Sequence, residues 1–345
     1  MLTRPENTKA DAILAFESSC DDTSVAIVDT NYQVIINLLS SQPEHLAFGG
    51  VLPELASRLH LKNILLLTQA ALQQSGYQLK DISAVAVSVN PGLIGSLIVG
   101  LSFAKSLAWS VSLPLITVNH MLAHIFANFI EHKDIQVPML ALVVSGGHTE
   151  LVHFKSLTEF SIVGKTLDDA AGECFDKAAK LLGLGFPGGP IIDKLAKNGN
   201  PNFINFPRAL SPKDNFNFSY SGLKTAIRTW ISNQAPETIT ANLPDIAASV
   251  QQAIVEPLVN KTVLWAYKNK IPFILLAGGV AANSALRRQM EIKAAKYGIA
   301  VRYPSLSLCM DNAAMVAAAS IPKYLSGNYS SLSANAFSLK GTKEL

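Results

Sequence analysis

The chain runs through one pattern twice, and this repetition constrains its fold more than any other feature. Residues 12–29, AILAFESSCDDTSVAIVD, read as an apolar strand, a polar turn and a returning strand. Residues 139–154, MLALVVSGGHTELVHF, read the same way. A candidate third strand follows each, VIINLL at 34–39 and FSIVGKT at 160–166. Residues 84–111 then give a buried strand, a Pro-Gly turn and a long helix. Residues 273–298, FILLAGGVAANSALRRQMEIKAAKYG, give a strand, a Gly-Gly turn and a helix. LPLITV (113–118) and GIAVRYP (298–304) follow these two units as strands. Apolar positions at helical spacing predict helices over 53–71, 168–183 and 311–325. The pattern predicts two related α/β halves, each a three-stranded meander followed by βα units. Facing each other, they would form a central cleft lined by the polar, glycine-bearing loops 18–24, 90–96, 145–149 and 278–284. The expected lobes are residues 12–118 and 119–311, with 312–345 packing back on the first.

Composition excludes several classes. The chain has 345 residues, 49% hydrophobic and 15% charged, with a net charge of +3. That balance permits a nucleic-acid partner without requiring one. The three cysteines, Cys20, Cys174 and Cys309, form no CxxC pair, which speaks for a reducing cytoplasm and against a disulfide framework. The first residues carry no apolar signal region. Leu93–Leu115 comes nearest to a membrane span, but Lys105 and several serines break it.

The loops carry the chemistry. Gly146-Gly147, Gly188-Gly189 and Gly278-Gly279 let backbone amides approach a ligand, and amides so presented bind phosphate. One such pair is ordinary turn chemistry; several, each after an apolar strand or opening a helix, point to a nucleotide. No Walker A loop is present. His120 and His124, four residues apart, share one face of a helix and can grip one metal ion. Met121, Leu122 and Ala123 lie between them, so the glutamate base of an HExxH protease is absent. Asp311 offers a third ligand or, alternatively, the N-cap of the last helix. Asp21 and Asp22 suit Mg²⁺-phosphate binding or plain turn chemistry. Asp168 and Asp169 read as first-turn helix charges. Asp176, flanked by apolar residues, is the better ligand-binding candidate. In NFSYSGLKTAIR (217–228), Phe218, Tyr220, Lys224 and Arg228 read as a nucleic-acid surface or as an amphipathic helix.

Taken together, ESSCDDTSVAIV, GGVLPELASRLH, NPGLIGSL, NHMLAH, VVSGGHTELV, GKTLDDAAGECFDKAAKLLGLGFPGGP, FSYSGLKTA, LAGGVAANSALR and CMDNAAMVA resemble the TsaD family, in order from about Ile13 to about Ala319. The resemblance implies an actin-like, ASKHA-type ATPase fold. It implies transfer of a threonylcarbamoyl group from threonylcarbamoyl-AMP to N6 of the adenosine 3′ to the anticodon, position 37, in tRNAs reading ANN codons. The products are t6A and AMP. It implies one divalent metal ion, Fe²⁺ or Zn²⁺, on His120, His124 and Asp311. Val143, Val144, Ser145, Gly146 and Gly147 match the loop contacting the adenylate. Asp176, Gly189, Asp193 and Asn283 match its other binding positions. Ser145 and His148 take the catalytic positions, with His148 close to the metal. ATP is a further expected ligand. The implied partners are tRNA, a TsaB-type paralogue or a second copy of the chain, a TsaE-type ATPase, and a TsaC-type enzyme supplying the adenylate.

The chain departs from the family pattern at three points. Asp22 stands where the family often has glutamate. Met121-Leu122-Ala123 replaces an x-Glu-Gly segment, removing a carboxylate between the histidines. Met310 replaces a common threonine. A kinase of the same fold, a metalloprotease and a non-catalytic scaffold are the competing readings.

Overall fold

The computed structural model describes residues 10–48, 50–210 and 215–338. Gly49, the first residue of GGVLPELASRLH, and residues 339–345 of the returning segment lie outside them. The described residues among 1–133 and 310–345 form one compact unit, and those among 134–309 form a second.

The first unit holds the strands β1 (Ala12–Glu17), β2 (Thr23–Asp29), β3 (Val34–Ser40), β4 (Ile82–Asn90) and β5 (Leu115–Asn119). Its helices are α1 (Pro53–Ser75), α2 (Ile94–Ser110) and α3 (His120–Glu131). The second holds β6 (Met139–Val144), β7 (Thr149–Phe154), β8 (Phe160–Lys165), β9 (Phe273–Ala277) and β10 (Ala300–Arg302). Its helices are α4 (Ala171–Leu181), α5 (Gly188–Ala196), α6 (Ser221–Ser232), α7 (Pro236–Ala241), α8 (Leu243–Lys268), α9 (Ser284–Ala295) and α10 (Leu306–Cys309). α11 (Ala313–Leu325) belongs to the first unit.

The sheets confirm the duplication strand for strand. The first has the order β3-β2-β1-β4-β5 and the second β8-β7-β6-β9-β10. In each, the leading hairpin is antiparallel (β1 with β2, β6 with β7), and the first strand then pairs parallel with the strand that opens the βα part (β4, β9). β1, β4 and β6 are buried at every residue, so they read as continuous apolar runs. The edge strands β3 and β8 are half exposed and mix polar with apolar residues.

The structure corrects the sequence reading at several points. The unit boundary falls at 133/134 and 309/310, not at 118/119 and 311/312. α3 is buried from His120 to Phe129 because the alanine-rich α11 packs on it, and this contact keeps both helices in the first unit. α6, read only as one alternative, and α8 were not resolved by helical periodicity. α8 is the longest helix, and it is buried on so many sides that no apolar stripe stands out.

α4 begins at Ala171, so Asp168 and Asp169 lie ahead of it and are not charges of its first turn. Asp168 instead accepts hydrogen bonds from Tyr220 N (2.7 Å), Ser221 N (3.2 Å), Ser221 Oγ (2.8 Å) and Ser219 Oγ. It satisfies the start of α6 from a distant loop. Slight burial works against its charge, but these donors outweigh that effect and hold its carboxyl below the ordinary range. Asp168→Ala is expected to cost about 1 kcal/mol, the usual worth of a helix cap. A depressed carboxyl stabilises above its unfolded pKa and loses that contribution as pH falls through its folded value. The stability gap between wild type and variant should therefore narrow below about pH 4, checked by urea denaturation across pH.

Candidate metal centre and nucleotide corner

α3 opens where β5 ends. Asn119 caps it, its Oδ1 accepting from Met121 N at 2.9 Å and Leu122 N at 3.1 Å. The cap fixes the first turn and points His120 and His124, one turn apart, in the same direction. Asp311 meets them there. Its Oδ1 lies 3.4 Å from His120 Nε2 and 3.2 Å from His124 Nε2, and one ligand atom from each residue falls within 4.8 Å of the others. Two ligands of a tetrahedral ion with bonds of about 2.1 Å sit about 3.4 Å apart. The donor set and its spacing fit a divalent ion. Asp311 is free for this because Asn312, not Asp311, is the N-cap of α11, accepting from Met315 N at 3.0 Å.

A residue that sequence reasoning did not single out completes the cluster. Glu17, fully buried at the end of β1, places Oε2 3.0 Å from His120 Nδ1. Its Oε1 accepts from Ser19 N at 2.6 Å, and Ser19 Oγ lies 3.2 Å from the same ring nitrogen. A buried carboxylate on the far nitrogen orients a ligating imidazole and raises its basicity. The available signal was a lone glutamate ending a wholly apolar strand.

Burial disfavours the charged form of His120, but Glu17 and Asp311 on either side outweigh it and hold its pKa well above the ordinary histidine value. The same burial works against both carboxylates. The imidazole outweighs it, and both pKa values are lowered. This is a site charged by its own members and open to a cation. His124 Nδ1 is buried and has no hydrogen-bond partner among the described residues.

The other expected site residues lie in the second unit. The Ser145–His148 turn closes on itself: Ser145 N donates to His148 O at 2.9 Å, and His148 N donates to Ser145 Oγ at 3.2 Å. A side chain at Gly146 or Gly147 would meet open space. The strand end leading into this turn is tightly held. A Cβ at Gly278 would fall 2.5 Å from Val144 O, and one at Gly172 would fall 2.4 Å from Ser145 O.

From Gly278 the chain passes through a 3₁₀ turn, Gly279–Ala282, to Asn283. Asn283 caps α9, accepting from Leu286 N at 2.9 Å, and donates to Gln251 Oε1 at 2.8 Å. Asp193 accepts from Ser284 Oγ at 2.7 Å and from Ser284 N at 3.2 Å. Asp176 accepts from Gly188 N at 2.7 Å, so it holds the start of α5, where Gly189 also lies; partial burial raises its pKa. A polar cavity of about 550 Å³ lined by Ser284, Gln251, Arg288 and Lys197 opens at the start of α9.

Phe218 and Tyr220 are 1% exposed and belong to the core, so they present no stacking surface; Lys224 and Arg228 on α6 are exposed. No helix among the described residues is long and apolar enough to cross a membrane.

Residues 33–318 match the family model "TsaD: tRNA N6-adenosine threonylcarbamoyltransferase". A tRNA N6-adenosine threonylcarbamoyltransferase of Clostridium perfringens (strain SM101 / Type A) is 49% identical over 325 residues, covering 94% of this chain and 96% of the relative. One from Clostridium botulinum (strain 657 / Type Ba4) is 47% identical over the same span of 325 residues. Among solved structures, full-length HypF in its phosphate- and nucleotide-bound form superposes with a TM-score of 0.62 at 14% identity, covering 93% of this chain and 47% of its own. Component A of Acidaminococcus fermentans (R)-2-hydroxyglutaryl-CoA dehydratase gives a TM-score of 0.53 at 13% identity, covering 92% and 100%. These likenesses show an actin-like, ASKHA-type fold. With the family model matched over most of its length and close relatives aligned along nearly all of it, the chain belongs to the TsaD family of tRNA N6-adenosine threonylcarbamoyltransferases.

Proposed function

We infer that the chain performs the reaction its family is named for. N6 of adenosine 37 in tRNAs reading ANN codons attacks the carbamoyl carbon of threonylcarbamoyl-AMP. The bond from that carbon to the phosphate oxygen breaks, AMP leaves, and N6 gives up a proton. The convergence of His120 Nε2, His124 Nε2 and Asp311 Oδ1 is the observation that carries the metal reading. These three residues would hold a divalent ion, Fe²⁺ or Zn²⁺. Bound there, it supplies Lewis acidity and a fixed positive charge for developing negative charge. Glu17 and Ser19 hold the His120 ring in place.

Val143 to Gly147, Asp176, Gly189, Asp193 and Asn283 bind the adenylate, and ATP can take the same positions. Gly146 and Gly147 leave room for a ligand against the turn, with Ser145 and His148 at its two ends. Asp193 and Asn283 contribute by holding Ser284 and the start of α9. An acyl adenylate is already activated, so positioning and electrostatic stabilisation can supply much of the catalysis. Lys224 and Arg228 are available to RNA phosphates.

The helices α1 and α2 pack together, and several of their exposed positions are apolar: Leu61 is 69% and Leu66 58% exposed, and Leu65, Ile94 and Ile98 are exposed as well. Such a patch on a soluble chain marks a protein interface. We assign it to the TsaB-type paralogue. A TsaE-type ATPase joins the assembly, a TsaC-type enzyme supplies the adenylate, and a second copy of the chain is the alternative occupant of the same face. All act in the cytoplasm, where the tRNA is. Leu65→Asp with Ile98→Asp is expected to weaken pairing at least about 100-fold in analytical ultracentrifugation, because it places charge in an apolar interface. Monomer stability should stay within about 0.5 kcal/mol, since both residues are exposed.

The direct test is reconstitution. The purified chain, its partners, threonylcarbamoyl-AMP and unmodified tRNA should yield t6A by nucleoside mass spectrometry. A tRNA with guanosine at position 37 should yield none. Absence of t6A with the full partner set would sink this reading.

A further inference from the structure

The polar turn between β1 and β2 carries Glu17 and Ser19 onto His120 Nδ1, and it is pinned from two sides. α2 holds one side. Ser18 Oγ donates to Ser96 O at 3.0 Å, and Leu93 N donates to Ser19 O at 2.7 Å. The fit is close enough that a Cβ at Gly92 would fall 2.5 Å from Ser19 O.

α1 holds the other side through His60. It is fully buried, with Nε2 2.9 Å from Cys20 O and Nδ1 2.8 Å from Thr23 Oγ1. A carbonyl only accepts, so Nε2 carries the proton. Nδ1 must then accept from the Thr23 hydroxyl. One neutral tautomer satisfies both bonds, and burial, which lowers the pKa of this ring, favours that neutral form. Cys20 and Thr23 bracket the tip of the turn, so His60 fixes both sides of the tip to α1.

We propose that His60 is a positioning residue of the metal centre, fixing the turn so that Glu17 and Ser19 hold His120 Nε2 in its ligating direction. This inference rests on the metal reading above. Glu17 and Ser19 make the contacts; His60 sets where they stand. The α2 bonds remain when His60 is removed, so the effect is graded, not total.

The test is Co²⁺ titration of the metal-free full-length chain, reading the visible absorption of the bound ion and its Kd. If wild type binds no Co²⁺, the metal reading itself fails. If wild type binds, His60→Leu should raise the Kd about tenfold, the lower range for loss of a partner beyond the ligands. Its absorption band should also change. His60→Gln, whose amide offers a donor and an acceptor at similar spacing, should recover most of both. A folded His60→Leu with wild-type band and Kd would reduce the residue to a core histidine and overturn the proposal. If His60→Leu does not fold, Thr23→Val decides: it removes one of the two bonds and keeps the side-chain shape. It must shift the band and the Kd in the same direction, and a wild-type result there overturns the proposal equally.

Discussion

Cells depleted of their own copy and supplied with the His120→Ala/His124→Ala chain should contain no t6A in total tRNA, while cells supplied with wild type regain it. The expected loss of activity is at least about 1,000-fold, the scale of removing a principal electrostatic stabiliser. The geometry gives the reason. Both Nε2 atoms point at Asp311 Oδ1, so the double substitution leaves one carboxylate where three ligands stood. It also strands Glu17, fully buried and paired with His120, as a lone charge. A buried carboxylate that loses its partner is strongly destabilising, about 3–5 kcal/mol. Asp311→Asn separates the two effects, since it keeps the His120–Glu17 pair and removes only a charged ligand. It should lose metal, measured by elemental analysis of the purified chain, with a smaller fall in melting temperature. Restoration of t6A by the double variant would reject the metal site and leave the family reading standing.

Gly278→Ala should be a strongly damaging single methyl group in the second unit. Gly278 has φ 85° and ψ 169°, a region that only glycine enters readily. Its added Cβ would also lie 2.5 Å from Val144 O, a backbone atom at the end of β6 that cannot turn aside. Strain and overpacking together should cost about 3 kcal/mol. At about 2–4 °C per kcal/mol for a unit of about 150–250 residues, the melting temperature of the second unit should fall by about 8 °C. The Ser145–His148 turn follows directly from Val144, so adenylate binding should weaken as well. Gly146→Ala is the matched contrast. Its Cβ meets open space, so stability should change by less than about 0.5 kcal/mol, while the methyl group occupies room left for the ligand. Calorimetry with adenylate titration on both variants would show fold and binding failing together in one and separately in the other. Equal melting temperatures for the two would refute the packing argument.

The sequence carried the fold wherever burial is one-dimensional. β1 and β6 are buried at every residue, so the duplicated strand-turn-strand was plain. α8 was missed because burial all round leaves no periodic stripe, and it contains Pro257 as well. The boundary at 118/119 failed because α3 looks like the start of something new, and only its contact with α11, from the far end of the chain, shows where it belongs. At the metal cluster, spacing alone revealed His120 and His124. Asp311 stayed ambiguous until Asn312 was seen to take the cap. Glu17 carries only the faint signature of a lone glutamate ending an apolar strand, since its partner His120 is far away in sequence. Asp168 was misread for the same reason: its donors belong to residues 219–221.

The first unit is discontinuous, and its returning piece brings Asp311. On a ribosome His120 and His124 emerge early, and their third ligand appears only after the whole second unit has been made. A chain cut anywhere between Lys133 and Asp311 holds the pair without its carboxylate. An ion bound to all three ligands would therefore report that synthesis has passed Asp311. It would also act as a reversible staple across the longest excursion of the backbone, closing a loop whose ends meet nowhere near each other in sequence. Metal supply would then set how firmly α11 stays seated on α3, and starvation for the ion would loosen the fold at the seam where the chain comes home.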